Sequence, residues 1–175
     1  KPIVGYLGAL SNWINPELII TTAKLCPETS FVLIGPVSKL FNKAKRMFPP
    51  NLYHFSEVPY SEVPSLINLF NVCILPFKVS SISDSTDPVK LYEYFAMGKP
   101  VISIPMRQLS RYKNESLLWF ANSAAEFAHR IGVALKSDTE QQRQKRKQVA
   151  KANSWEASAK KIIDSVTANL TAKLK

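Results

Sequence analysis

The stretch DPVKLYEYFAMGKPVIS, residues 87–103, decides the fold because one continuous unit contains the start of a helix, its end and a buried strand. Asp87 is a residue type that caps helices, and Pro88 suits the first helical position, where a backbone N–H is not needed. Gly98 can adopt the left-handed conformation that ends a helix. The VISIP run after Pro100 is a short apolar strand of the kind buried in parallel sheets. The unit therefore predicts a helix that leads directly into a strand of an α/β fold.

Two charged side chains fall on one face of this predicted helix. Lys90 lies in its first turn and Glu93 three residues later, a spacing that puts them about 4.5 Å apart along the helix axis. Free N–H groups and the positive end of the helix dipole favour an anion beside Lys90, and the Glu93 carboxylate can accept hydrogen bonds from two neighbouring sugar hydroxyls. The pattern fits a phosphate and ribose site. A Lys and a Glu at this spacing are more often a solvated surface ion pair, so the spacing alone favours that interpretation over a ligand site.

The rest of the chain alternates short apolar runs with helical periodicity, which is the pattern of parallel βαβ units. At 175 residues and 46% hydrophobic, the chain can bury one sizeable core. We expect an α/β, Rossmann-like parallel sheet of about six strands with helices on both faces. The predicted strands are PIVGYLG, SFVLIGP, NLYHF, NVCILPF, VISIP and LLWFA, and the predicted helices run over 15–27, 38–48, 60–70, 87–98 and 123–136, with two more toward the C-terminus.

Composition excludes several classes of protein. No apolar run is long enough to span a bilayer or to act as a signal sequence, so we expect a soluble fragment. Cys26 and Cys73 lack metal-ligand spacing and lie in apolar contexts, which indicates the reduced thiols of a cytoplasmic protein, without a disulfide. His54 and His129 each stand alone and are expected to be structural or exposed. The acidic pair in Asp84-Ser-Thr-Asp87 has no convincing metal spacing, so we expect no metal cofactor.

The net charge of +10 has two local sources. One is a stretch free of acids near residues 143–151, and the other spans residues 39–46. A charge run is usually a solvated helix face, and that is our expectation here. Two functional alternatives are attraction to anionic lipid headgroups and binding to the phosphates of nucleic acid. The basic residues are Arg143, Lys145, Arg146, Lys147 and Lys151 in the first cluster and Lys39, Lys43, Lys45 and Arg46 in the second.

The pattern P-x-K-x-Y-E-Y-F-A-x-G-K-P-V-I resembles the donor-binding helix of glycosyltransferases with the two-domain GT-B fold. The resemblance implies that Glu93 binds the ribose of a nucleotide sugar and that Lys90 faces its diphosphate. Many members carry another Glu eight residues earlier, and here that position is Ser85. The contact to the sugar ring is therefore unassigned, and Asp84 and Asp87 are the nearby acids that could supply it.

Ligands of open parallel sheets bind outside the carboxyl ends of the strands, which selects the loops after the first four predicted strands. In the resembling family the first loop approaches the diphosphate, and the segment after the third strand meets the nucleobase. Gly8 takes the first role by that resemblance, although a tight turn also explains a glycine there. Val58 and Tyr60 take the second. Tyr92, beside Glu93, is a further candidate donor contact, with core packing as its alternative role.

Resemblance covers nearly the whole chain and implies the C-terminal half of such an enzyme. Residues 1–175 would form a single donor-binding domain, with 154–175, which includes SWEASAKKIIDSV, as the closing crossover helix. An N-terminal acceptor domain would lie upstream and carry most of the catalytic groups, so the isolated domain should be inactive. The runs GALSNWIN, SFVLIGP and SWE, together with residues 87–103, also resemble the glycosyltransferases of teichuronic acid biosynthesis in Gram-positive bacteria.

That second resemblance implies UDP-glucuronate as donor, a cell-wall polysaccharide or lipid-linked acceptor, and a peripheral position on the inner face of the membrane. No cofactor beyond the UDP-sugar is expected, and no nucleic acid partner. One alternative is a UDP-sugar 2-epimerase of the same fold, which would need acid and base carboxylates or histidines in the cleft. The other is a basic nucleic-acid-binding or scaffold module built on residues 143–151.

Overall fold

The structure is a computed structural model that describes residues 1–115 and 117–173. Within this part of the chain, six parallel strands form one sheet in the order β3-β2-β1-β4-β5-β6. The predicted α/β class and the number of strands are thus confirmed. The strands are β1 (Ile3–Leu7), β2 (Ser30–Ile34), β3 (Leu52–Phe55), β4 (Val72–Leu75), β5 (Val101–Ser103) and β6 (Leu118–Phe120).

Helices cover both faces of the sheet. Because the strand order runs outward in opposite directions from β1 and β4, right-handed crossovers place the helix after β1 and the helix after β4 on opposite faces. One short helix, Ser81–Ser85, and the 3-10 segment Arg107–Glu115 were not predicted, because apolar residues do not recur at helical spacing in either. The helices are α1 (Pro16–Leu25), α2 (Lys39–Ala44), α3 (Val63–Leu69), α4 (Ser81–Ser85), α5 (Val89–Ala96), α6 (Ala124–Ser137), α7 (Glu140–Ala152) and α8 (Trp155–Lys173), with 3-10 turns at Lys45–Met47, Tyr60–Glu62 and Arg107–Glu115.

The predicted helix boundaries are right to within a few residues where a cap marks them. Asn15 accepts a hydrogen bond from the N–H of Leu18 and begins α1, as its position before Pro16 indicates. Gly98 ends α5 with φ 69°, as predicted. The predicted helix over 38–48 instead changes to a 3-10 turn at Lys45. The last two residues of the predicted closing helix, 174 and 175, lie outside the described residues.

A buried tyrosine fixes α5 to the central strand. The Tyr94 hydroxyl accepts a hydrogen bond of 3.0 Å from the N–H of Leu7, at the end of β1. Tyr94 is fully buried, and burial is the main reason that the pKa of its hydroxyl is raised. Since Leu7 ends a central strand of the sheet, this contact holds α5 against the carboxyl edge. Tyr94, which flanks Glu93 on the side opposite to Tyr92 in the sequence, therefore packs in the core.

The basic stretch near residues 143–151 is not a uniformly solvated face, and our expectation was wrong for Arg146. Its side chain is fully buried, pairs with Asp138 and donates a 3.0 Å hydrogen bond to the carbonyl of Gly98 at the end of α5. The local sequence does not indicate this ion pair, because Asp138 lies eight residues before Arg146 and outside α7. Burial lowers the pKa of Arg146, and Asp138 counteracts that effect. The side chain thus attaches α7 to α5.

Both cysteines are free, with Cys73 buried in β4 and Cys26 half-buried. His54 lies 2.9 Å from the carbonyl of Gly35, while His129 is exposed, so each takes one of the two expected roles. Among the described residues, no helix is both long and apolar enough to cross a bilayer.

Candidate functional site

The loops that follow β1 and β4 are joined at the carboxyl edge of the sheet. Ile14 and Phe77 form an antiparallel bridge between them, and the N–H of Lys78 donates to the carbonyl of Trp13 at 2.7 Å. The strand order changes direction between β1 and β4, which is where open α/β sheets bind ligands. The two joined loops therefore form a fixed surface at the point where the strand order changes direction, and the start of α5 lies above them.

Asp87 does not cap α5, which corrects the sequence prediction. The N-cap position is Pro88, which has no side-chain cap, and α5 begins at Val89. The Asp87 carboxylate instead accepts hydrogen bonds from the Tyr92 hydroxyl at 2.9 and 3.0 Å and from Arg111 at 2.6 Å. Arg111 belongs to the segment after β5, and its guanidinium adds an opposite full charge to the hydrogen bond, which a backbone N–H at a cap does not. Local sequence gave no signal of that distant partner.

Lys90 and Glu93 lie together on one face of α5, as their spacing predicts. The Lys90 ammonium is 2.7 Å from the Glu93 carboxylate, and the two side chains retain 27% and 19% of their accessible surface. The pair is neither a fully solvated surface pair nor a buried one. Because both groups remain partly accessible, an incoming ligand can replace each group's contact with the other.

Gly8 lies against this pair and leaves room for it. Its φ of 151° is a conformation that favours glycine, and a Cβ at this position would lie 2.9 Å from Cε of Lys90. The aliphatic part of Lys90 therefore passes directly over the end of β1. The structure brings together Gly8, Lys90 and Glu93, three of the residues that the sequence singled out.

Tyr6 belongs to the same neighbourhood and was missed by the sequence analysis. It is buried in β1, and its hydroxyl donates to the carbonyl of Ala9 at 3.3 Å. Burial raises the pKa of this hydroxyl, and the nearby negative charge of Glu93 raises it further. Nothing in the alternation of the strand distinguishes Tyr6 from a core residue, so no sequence signal marks its closeness to Glu93.

A cleft of about 570 Å³ extends along the outer side of α5, within the size range of small-molecule sites. Tyr60, which is 78% exposed, and Tyr92 and Glu93 all line it. Lys147 and Trp155 contribute from the helices at the C-terminal end of the chain. The cleft thus combines aromatic rings, a carboxylate and an ammonium, although its parts are far apart in sequence.

Val58 takes a different position from the other candidates. It is half-buried in the segment between β3 and the 3-10 turn at Tyr60, and its side chain packs against the core. Its role at the nucleobase therefore stays a prediction, and its side chain has a packing role in addition.

The acids near the start of α5 are paired with arginines. Asp84 accepts from the N–H of Arg107 at 2.8 Å, and Asp87 is held by Arg111. Among the described residues, no cluster of three His, Cys, Asp or Glu side chains is arranged to hold a metal ion. Lys90, beside Gly8, is a cation that remains partly accessible to a ligand's negative charge at this edge.

Comparison with known proteins shows the family to which the chain is related. Residues 1–137 match the family described as Glycosyl transferases group 1. A curated relative is the proposed teichuronic acid biosynthesis glycosyltransferase TuaH of Bacillus subtilis (strain 168), 26% identical over 113 residues. That alignment covers 62% of this chain and 28% of the relative.

Several solved structures share the fold, and two of them illustrate the match. Alr3699/HepE of Anabaena, in complex with UDP and glucose, has a TM-score of 0.69 at 15% identity, covering 95% of this chain and 48% of that one. The catalytic domain of cholesterol-alpha-glucosyltransferase from Helicobacter pylori has a TM-score of 0.68 at 16% identity, covering 87% of this chain and 99% of that domain. The chain therefore spans about half of the first structure and less than a third of TuaH.

Proposed function

Because the chain belongs to the glycosyl transferases group 1 family, we propose that it is the nucleotide-sugar donor-binding domain of a glycosyltransferase. The observation that carries the proposal is the partly accessible pair of Lys90 and Glu93 beside Gly8, at the switch point of the sheet. A solved structure of the same fold contains UDP, which supports UDP as the nucleotide.

Binding of UDP would replace the ion pair between Lys90 and Glu93 with an ion pair to the diphosphate and hydrogen bonds from the ribose. Lys90 leaves Glu93 and binds the diphosphate, next to free N–H groups in the first turn of α5. The released Glu93 carboxylate accepts hydrogen bonds from the ribose hydroxyls. Tyr60 and the backbone at Val58 lie at the end of β3, on the side where the nucleobase would rest, and Tyr92 borders the same cleft.

In the transfer step, a hydroxyl of the acceptor attacks the anomeric carbon, and UDP leaves with the electrons of the sugar–oxygen bond. Lys90 and the start of α5 stabilise the charge that develops on the leaving diphosphate, because fixed dipoles and cations act most strongly where charge appears. The base or acceptor-positioning group would come mainly from an N-terminal domain outside this chain. The closing crossover over 154–175 would lead back toward that domain.

We further propose glucuronic acid as the transferred sugar and a cell-wall polysaccharide or a lipid-linked sugar as the acceptor. The similarity to TuaH supports both. The exposed basic residues of α2, which include Lys39 and Lys43, support a peripheral position on an anionic membrane surface, facing the cytoplasm.

Calorimetric titration of the 175-residue chain with UDP tests the proposal. We expect saturable binding that is unchanged in EDTA, because the acids beside the site are paired with arginines. Binding that disappears on chelation and returns with Mg²⁺ or Mn²⁺ would contradict the metal-free site. An absence of UDP binding, together with tight binding of an unrelated oligonucleotide, would favour the nucleic-acid alternative.

A transfer assay tests the assignment to one half of an enzyme. The chain alone should transfer no labelled sugar from a UDP-sugar to an acceptor extract, whereas a longer protein that includes the preceding domain should be active. Equal rates for the two proteins would show that the acceptor site lies within this chain.

A further inference from the structure

Arg111 brings a second cation to the start of α5. Its Nη2 atom lies 2.6 Å from the Asp87 carboxylate and also donates to the Tyr92 hydroxyl. Asp87 and Tyr92 both line the cleft that contains Glu93. Arg111 is not itself part of the lining, but its guanidinium is bonded to two residues that are, and its side chain is 45% exposed.

Packing holds this guanidinium in place. Its central carbon lies 4.9 Å from the ring centroid of Tyr112. Tyr112 is buried and packs edge-on against Phe95 of α5, with ring centroids 5.9 Å apart. The segment after β5 is thereby attached to the helix that carries Lys90. An arginine fixed on two sides loses little freedom when it binds a ligand, which favours recognition.

The order of the strands indicates which part of the donor reaches Arg111, if the proposed function holds. The nucleobase would lie by Tyr60 after β3, and the diphosphate by Gly8 and Lys90 after β1. The sugar is attached to the far phosphate, so it extends away from the nucleobase. Along the sheet order this direction leads to the segments after β4 and β5. Arg111 belongs to the segment after β5.

We infer that Arg111 binds a carboxylate on the donor sugar and so selects a hexuronate over a neutral hexose. A guanidinium has five N–H donors in a planar fork that matches a carboxylate. The hydrogen bonds to Asp87 and to Tyr92 are both made by Nη2, so the fork has donors beyond that atom. Asp87 acts as a positioning residue that orients the fork. The inference rests on the proposed function and adds the residue that determines its sugar specificity.

The test compares three ligands, UDP, UDP-glucose and UDP-glucuronate, by calorimetry on the 175-residue chain. The native chain should bind UDP-glucuronate more tightly than UDP-glucose. Arg111→Gln should weaken UDP-glucuronate by roughly ten- to a hundredfold, the range of a charge-assisted hydrogen bond, and change UDP and UDP-glucose by about twofold or less. Arg111→Lys should retain part of the preference, because it keeps the charge and loses the planar fork.

Arg107→Gln is the matched control. Arg107 lies in the same 3-10 segment and also faces an acid, Asp84, but it lines a separate concavity of about 690 Å³ together with Trp119. This variant should leave all three affinities unchanged. Thermal unfolding of each variant shows whether the fold is intact.

Three results would overturn the inference. In the first, the native chain does not distinguish UDP-glucuronate from UDP-glucose. In the second, Arg111→Gln weakens all three ligands equally, which would mean that the guanidinium only supports the start of α5. In the third, Arg107→Gln reduces the preference as much as Arg111→Gln does, which would mean that the preference comes from the overall positive charge and not from a contact with Arg111. A failure of UDP itself to bind would instead contradict the proposed function from which the inference starts.

Discussion

Two ion pairs lie at opposite ends of α5, and they differ in burial. Lys90 and Glu93, near its start, retain 27% and 19% of their side-chain surface. Arg146 and Asp138, against its C-terminal end, retain 0% and 8%. In the sequence, all four are charged residues on predicted helices or beside them. In the structure the first pair can exchange partners with a ligand, while the second cannot without unfolding its surroundings.

The difference teaches that burial decides what an ion pair can do. A buried pair repays the loss of its hydration only while both partners and their hydrogen bonds are present, so it serves to hold two elements together. A partly exposed pair contributes little to stability and costs little to open. The two ends of α5 thus have separate roles, binding at its start and attachment to α7 at its end.

The largest expected effect is on stability. Arg146→Ala should lower the free energy of unfolding by about 3–5 kcal/mol, because it leaves Asp138 buried without its main partner and removes the bond to Gly98. Urea unfolding measures this directly. Arg143→Ala is the control: Arg143 also binds Asp138 but is 51% exposed, so its loss should cost about 1 kcal/mol or less. Equal losses for the two variants would remove the distinction between the ends of α5.

The next effect is on binding. Lys90→Ala should weaken UDP by roughly 1.5–3 kcal/mol, the scale of a charge-assisted hydrogen bond, and hardly alter the weak binding of uridine, which has no phosphate. Its effect on unfolding should be small, in contrast to Arg146. Calorimetry with both ligands separates these outcomes. A similar loss for uridine and UDP would show that Lys90 does not contact phosphate.

The smallest effects should come from the remaining lysines of α7. Lys147 and Lys151 line the same cleft as Glu93, so neutralising both should weaken UDP by about 0.2–1 kcal/mol, with a loss that fades at high salt. Lys145→Gln, on the exposed surface outside that lining, should change nothing measurable. If Lys145→Gln weakens UDP as much as neutralising the other two lysines does, their effect on affinity comes from net charge and not from their position in the cleft.

Much of this architecture could be predicted from sequence because its signals are local. The alternation of apolar strands and helices predicts the six-stranded sheet, and Gly98 predicts the end of α5. The spacing of Lys90 and Glu93 predicts that they share one face of the helix. Each of these depends on residues within a few positions of one another, where helix geometry and turn chemistry act.

What could not be predicted depends on contacts between distant parts of the chain. Asp87 stands where the sequence predicts a helix cap, yet its carboxylate is bonded to Arg111, 24 residues later. The sequence around Arg146 is typical of a solvated helix face, yet its side chain is buried and bonded to Asp138 and to the carbonyl of Gly98. Lys147 lines the cleft because α7 packs against α5, and Trp155 reaches it from the start of α8, about 60 residues after Glu93 in the chain. Local patterns carry no information on such partners, so charged side chains were predicted less well than apolar ones.

The role of Glu93 in ribose binding is the central claim, and one comparison tests it most directly. UDP and its 2′,3′-dideoxy analogue are titrated into the native chain and into Glu93→Ala. The native chain should prefer UDP by roughly 1.5–3 kcal/mol, since a carboxylate gains charge-assisted bonds from the two hydroxyls. Glu93→Ala should weaken UDP and uridine and bind UDP and the analogue equally. If Glu93→Ala leaves the affinities for UDP and uridine unchanged, Glu93 is only the partner of Lys90, and the account of this site is wrong.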